Sequence, residues 1–164
     1  MLNIVLVEPE IPPNTGNVSR LCAGIDATLH LVGKLGFSTD DRSLKRAGLD
    51  YWQYLKLRYH DSLTAMEAEF PDANWIYTSS HAEKLHTEVT YRPNDFLVFG
   101  KETSGLPREL LARVADKTIR IPHWGHVRSL NLSNAVAVVA YEAMRQLTVR
   151  GEAPPPIPRL EDTH

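Results

Sequence analysis

A chain of 164 residues, 23% of them charged, is long enough to bury about two thirds of the surface its unfolded form exposes, and one ordinary domain accounts for it. The formal charge of -2 supplies no general positive field to gather nucleic acid or an anionic membrane, so a polyanionic partner must meet a local basic patch. The single cysteine, Cys22, excludes an intramolecular disulfide. The opening MLNIVLVEPE lacks the features of a secretory signal, and the longest purely apolar run, Ala135 to Ala140, is far too short to span a bilayer. The expectation is a soluble cytoplasmic protein.

In chain order, LNIVLV (Leu2 to Val7) is almost wholly apolar and stops at Glu8 and Pro9, which suits a strand covered on both faces. IPPNTGNVSRLCAGIDA breaks with two prolines, offers Asn14 or Thr15 as an N-cap, and sets Val18, Leu21, Cys22 and Ile25 at helical spacing. TLHLV (Thr28 to Val32) reads as a strand, SLKRAG (Ser43 to Gly48) as a short helix, DSLTAMEAEF (Asp61 to Phe70) as a helix and NWIYTSS as a strand. DFLVFG is a further strand, PRELLARVA a helix with Pro107 at its start, and TIRIP (Thr118 to Pro122) another strand. Strands alternating with helices predict an α/β fold around a parallel sheet.

The segment NLSNAVAVVAYEAMRQL, Asn131 to Leu147, carries a broad apolar stripe with small residues throughout, a face that calls for close packing within the domain or across a dimer. TVRGEAPPPIPRLEDTH is rich in proline and charge, so residues 1–150 are expected to form the domain and 151–164 an extended or disordered tail.

In a parallel sheet, ligands collect outside the carboxyl ends of the strands, where glycine-containing loops expose backbone groups and helix N-termini. Three loops qualify, after Val7, Phe99 and Ile121. In the first, Asn14, Gly16, Asn17 and Arg20 cluster around a helix start; Arg20 either points toward a ligand or is simply solvated. In the second, FGKETSGLP, the glycines are not followed by the Lys and Ser/Thr of a phosphate-binding loop, nor do they form the G-x-G-x-x-G of a nicotinamide enzyme. A ligand lying close to the backbone at Gly100, with Glu102 accepting from an amine, a hydroxyl or an arginine, and a tight turn with an exposed Glu both remain open. In the third, Ser129, Asn131, Ser133 and Asn134 crowd the start of the apolar helix, more hydrogen-bonding groups than one cap needs.

His123 and His126 have no cysteine nearby and no H-E-x-x-H helix, so solvated loop residues or nucleobase contacts are favoured over metal. Cys22, on an apolar helix face, reads as a small core residue. Of the tryptophans, only loop-borne Trp124 is placed to stack on a base.

Taken together, N-T-G-N-x-x-R, F-G-x-E-x-x-G-L-P and I-P-x(5)-R-S-L-N-L-S-N-A-V resemble the three ordered motifs of the SpoU branch of the SPOUT RNA methyltransferases. Within that branch they are most similar to the small tRNA (cytidine/uridine 34) 2'-O-methyltransferases of the TrmL or YibK type, from Met1 to about Leu147. The resemblance implies a deep C-terminal trefoil knot in the α/β fold, an exception to the rule against threading. It implies S-adenosylmethionine held against Thr78, Gly100, Ile121, Ser129 and Leu130, with S-adenosylhomocysteine as product and no metal. For catalysis it implies Arg20, assisted by Asn14, Glu102, Ser129 and Asn131, with Tyr141 from the last helix and either an RNA phosphate or Glu102 receiving the proton.

The resemblance further implies a homodimer with the active site at its interface, and the tRNA anticodon stem-loop as partner, met by Arg42, Lys45, Arg46 and Arg128. HWGHV, between Pro122 and Arg128, departs from the pattern in its histidine and aromatic content. The competing reading is an RNA-binding or RNA-folding module that keeps the fold without catalysis; the joint presence of Asn14, Arg20, Glu102, Ser129 and Asn131 argues against it.

Overall fold

The protein is described here by a computed structural model covering residues 1–37 and 52–155. Its elements, in chain order, are β1 (Asn3–Val7), α1 (Pro12–Gly24), β2 (Thr28–Val32), a 3-10 turn (Trp52–Tyr54), β3 (Lys56–His60), α2 (Leu63–Glu69), β4 (Trp75–Thr78), β5 (Lys84–Leu85), β6 (Phe96–Phe99), α3 (Arg108–Arg113), β7 (Thr118–Arg120) and α4 (Leu132–Val149). The seven strands form one sheet in the order β3-β2-β1-β6-β4-β7-β5, and every pairing between them is parallel.

The alternation of side chains along each strand separates two cores. Ile4, Leu6, Leu29, Leu31, Ile76, Leu97 and Phe99 meet Val18 and Cys22 of α1 and Val136, Val139, Ala140 and Ala143 of α4 on one face. On the other face Val5, Val32, Trp75, Tyr77, Phe96 and Val98 pack with Met66 of α2, Leu106 and Val114. The near-continuous apolar character of the central strands follows, since no residue of Ile4–Leu6 reaches solvent. Each such side chain contributes roughly 1.5–3 kcal/mol by burial. The small residues of α4 allow it to lie against α1 on this face. Cys22 sits in the same core, and burial pushes its thiol up to about 12.

Several boundaries differ from the sequence expectation. The helix after β1 begins at Pro12 with Ile11 as N-cap and prolines in its first turn, so Asn14 is a helical residue and not the cap. Pro107 likewise precedes α3 as its N-cap. The last helix continues to Val149, past Leu147. Two strands have no counterpart in the sequence expectation. KLRYH forms β3 at the sheet edge, where charged residues are tolerated and discourage pairing with other chains, and Lys84–Leu85 is too short to leave a pattern. The expected helix Ser43 to Gly48 lies outside the described residues, as does the tail beyond residue 155. Among the described residues no helix is long and apolar enough to cross a membrane.

A buried polar chain links the edge of the sheet to its centre. His30 on β2 is 1% exposed, with Nε2 3.1 Å from Asn3 Oδ1 and Nδ1 2.9 Å from His60 Nε2. Because an amide oxygen only accepts, His30 Nε2 carries the proton and Nδ1 accepts from His60. Burial, reinforced by His60 and Arg58, lowers the His30 pKa from 6.5 to about 4. The unfolded chain therefore takes up this proton first, and stability present above pH 6.5 drains away as the pH falls toward 4, by up to about 3 kcal/mol. Urea denaturation at pH 7, 5.5 and 4.5 should show this loss, and His30→Gln should flatten it.

Candidate functional site

With every strand parallel, the loops leaving β1, β4, β6 and β7 emerge at the same edge of the sheet. After β6 the chain reverses: Gly105 donates to the Lys101 carbonyl at 2.9 Å, and Lys101 to the Gly105 carbonyl at 3.3 Å. A Cβ on Gly100 would lie 2.2 Å from the Gly105 carbonyl carbon and 2.3 Å from Leu106 N, while Gly105 itself has a φ of +67°. Gly100 lines a cleft beside the turn, yet the space a side chain would need is filled by the protein's own backbone, so its glycine is required by the turn whether or not a ligand approaches.

This turn delivers Glu102 to the N-terminus of α1. That helix has no side-chain cap and no acidic residue in its first turn, and its two leading prolines carry no N–H. Glu102 satisfies the donors just ahead of them: Oε2 accepts from Glu10 N–H at 2.8 Å, and Oε1 from Ile11 N–H at 3.0 Å and from Asn14 Nδ2 at 3.2 Å. A carboxylate from a distant loop thus caps the helix and meets the positive end of its dipole. Asn14 Oδ1 in turn accepts from Asn131 Nδ2 at 3.0 Å, and Asn131 Oδ1 accepts from Ser133 N–H and Oγ, capping α4. Two further contacts hold the same loops together: Lys101 Nζ lies 2.7 Å from Glu8 Oε2, and Thr103 donates through Oγ1 to Glu10 Oε2 at 2.7 Å.

The cleft beside this junction has a volume of about 550 Å³. Phe99, Leu106, Ile119 and Leu132 give it an apolar wall. Of the residues singled out in the sequence, Asn14, Thr78, Gly100, Glu102, Ile121, Arg128, Ser129, Leu130 and Asn131 line it. The Thr78 hydroxyl donates to the Val98 carbonyl at 2.9 Å, so this side chain braces β4 against β6. Arg20 and Tyr141 do not line the cleft; both are exposed, Tyr141 at 59%. Arg42, Lys45 and Arg46 lie outside the described residues.

The cleft also contains residues that sequence reasoning misses: Ser79, Ser80 and His81 after β4, and the cations Arg108 and Arg120. Ser79 and Ser80 fall inside the strand expected over NWIYTSS, which ends at Thr78, so their place at its carboxyl end is hidden until that boundary is known. Arg108 opens α3 and leaves no signal. No group of three His, Cys, Asp or Glu among the described residues is placed to hold a metal ion.

Residues 1–141 match the profile of the SpoU rRNA methylase family. The chain belongs to this family. Among other SpoU relatives, it is 50% identical over 153 residues to the tRNA (cytidine(34)-2'-O)-methyltransferase of Escherichia coli (strain K12), covering 92% of this chain and 97% of that protein. A solved structure concerned with the 2-OH methylation of C/U34 on tRNA is likewise 50% identical, with a TM-score of 0.86 over 92% of this chain and 98% of that one. An AdoMet-bound rRNA methyltransferase from Sinorhizobium meliloti is 26% identical with a TM-score of 0.76, matching 89% of this chain and 56% of that one.

Four substitutions at three positions test the junction. Gly100→Ala forces backbone apart and should destabilise the protein by about 3 kcal/mol or more, whereas Gly105→Ala, hindered only by its backbone angle, should cost about 1 kcal/mol. Glu102→Ala should lose about 2–3 kcal/mol by stranding N–H donors at the head of α1, with Glu102→Gln intermediate. Urea unfolding at pH 7 ranks all four against the parent protein.

Proposed function

We propose that this SpoU methylase transfers a methyl group from S-adenosylmethionine to the ribose 2'-hydroxyl of the tRNA wobble nucleotide, cytidine 34 or uridine 34, releasing S-adenosylhomocysteine. The observation that carries the reading is the Glu102–Asn14–Asn131 relay, which joins three loops distant in sequence at one cleft. The 50% identity to the Escherichia coli enzyme over nearly the whole chain supports the same substrate.

The residues fit the donor molecule. The volume falls within the range of about 300–1,000 Å³ usual for small-molecule sites, and the lining joins an apolar wall to polar groups from Ser79, Ser129 and backbone. Thr78, Gly100, Ile121, Ser129 and Leu130 would hold it there. When bound, S-adenosylmethionine supplies a methyl group already activated on a sulfonium, so positioning accounts for much of the rate. Glu102 already accepts three hydrogen bonds, which favours a positioning role over that of proton acceptor. Asn14 and Asn131 hold the loop geometry, with Ser129 presented at the cleft wall. A guanidinium is a poor base, so the role of Arg20 is to orient the ribose and clamp a phosphate.

Arg20 and Tyr141 lie outside the cleft of a single chain, and we assign their completion of the site to a second copy. Val138 and Tyr141, one turn apart on α4, are 38% and 59% exposed, an apolar stripe beyond the one that packs on α1. The homodimer, the trefoil knot formed by the return of the chain after β7, a single domain over residues 1–150 with a flexible tail, and action in the cytoplasm belong to the same proposal. On the RNA side Arg128 contacts the anticodon stem-loop at the cleft, and Arg42, Lys45 and Arg46 contact its phosphates.

Arg20→Ala should lower tritiated methyl incorporation into tRNA by about 100-fold or more while cofactor binding by calorimetry stays within about twofold of the parent. Lost cofactor binding with transfer preserved would refute the assignment. Tight tRNA binding without incorporation by the parent protein would favour a non-catalytic module, and light scattering that finds only an 18.5 kDa monomer at micromolar concentration would refute the shared site.

A further inference from the structure

The turn between β7 and α4 carries side chains that the fold does not use. Trp124 is 92% exposed and Val127 58%, whereas Trp75 is only 6% exposed. Among the described residues, His123, Trp124, His126 and Arg128 make no hydrogen bond, ring contact or ion pair. A Cβ placed on Gly125 would find nothing within 4 Å, so the loop is open to solvent at that point. An indole left in water at this degree of exposure contributes nothing to the core.

The position of the loop is as informative as its exposure. Both ends of it, His123 and Arg128, line the cleft, so Trp124 stands at the cleft mouth within one or two residues of the lining. The segment from Ile121 to Asn134 contains no Asp or Glu, and Arg108 and Arg120 add positive charge to the cleft lining. A flat aromatic surface flanked by imidazoles and a guanidinium, free of carboxylates, has the chemistry that takes an unpaired nucleobase. The ring stacks, and the cations meet the adjoining phosphates.

We propose that the His123–Arg128 loop is a stacking platform, with Trp124 as its surface, for the unpaired base next to the nucleotide whose ribose enters the cleft. This inference rests on the tRNA substrate of the proposed methyl transfer. Stacking would draw the neighbouring base aside and leave the target ribose extended toward Ser129 and Asn131. It contributes to RNA affinity without reading sequence, because every base offers the same kind of face.

The test uses the full-length protein, a short anticodon stem-loop RNA, and two companions abasic at the nucleotide on either side of position 34. Trp124→Ala should weaken binding of the intact RNA by about 5- to 150-fold, expressed mainly in KM, with cofactor affinity unchanged; Trp124→Phe should retain most of it. One abasic RNA should bind the parent protein more weakly by a similar factor, and Trp124→Ala should discriminate less than twofold between that RNA and the intact one. Equal binding of the intact RNA by the parent and Trp124→Ala would overturn the platform while leaving the methyltransferase reading in place. A parent protein that binds no RNA would overturn both. Dissociation of a dimer by Trp124→Ala, seen by light scattering with equal RNA affinity per protomer, would assign the loop to contact between copies instead.

Discussion

The arrangement of the site depends on one carboxylate bridging two loops. Glu102 reaches from the turn after β6 to the head of α1, where two prolines have removed the donors that an ordinary cap would meet and no local side chain replaces them. The helix is thus completed from outside, and its start is registered against a loop 88 residues away in sequence from Asn14. Asn14 passes the constraint to Asn131 and so to the head of α4. Two helices and a reverse turn are oriented by a relay in which each amide has one face donating and the other accepting, leaving no rotation of Asn14 that keeps both partners.

The sheet makes such a junction possible. Parallel strands deliver the ends of β1, β4, β6 and β7 to a common edge, and helices on both faces leave that edge as the place where backbone polar groups accumulate without a ladder to satisfy them. The apolar wall of the cleft continues from the core: Phe99 and Ile119 belong to strands of the sheet and line the cleft as well. The cleft therefore combines a rigid apolar surface with loops tied together by Glu102 and Asn14.

Much of this is legible in the chain. β1, β2 and β6 declare themselves as apolar runs because both of their faces are buried, and the three loops stand out once each strand's carboxyl end is inspected for glycine and polar residues. The features that escape have no side-chain signature. In sequence Glu102 reads as an acceptor for an amine, a hydroxyl or an arginine, yet its principal donors are the main-chain N–H groups of Glu10 and Ile11, which any residue but proline provides. Gly100 reads as room for a ligand, when a neighbouring stretch of the same turn occupies that room. Asn14 looks like a cap because it comes after two prolines, although proline suits the first helical turn and moves the start back to Pro12. β3 is hidden because an edge strand with Lys56, Arg58 and His60 reads as solvated chain. Tyr141, whose surroundings in one chain do not include the cleft, can be singled out only by resemblance, and Arg20, noted at a helix start as either ligand-facing or solvated, takes its catalytic role from the same source.

The position of β1 has a consequence for how the protein is made. Its first neighbour, β2, comes within one helix, so a strand-helix-strand unit can assemble early, but its second neighbour begins at Phe96, paired with Asn3. At ribosomal speeds of about 5–20 residues per second, the central strand waits roughly 5–20 s with one hydrogen-bonding edge bare and apolar. The nascent chain is thus open to wrong partners during that interval, a hazard set by the order in which the strands leave the ribosome.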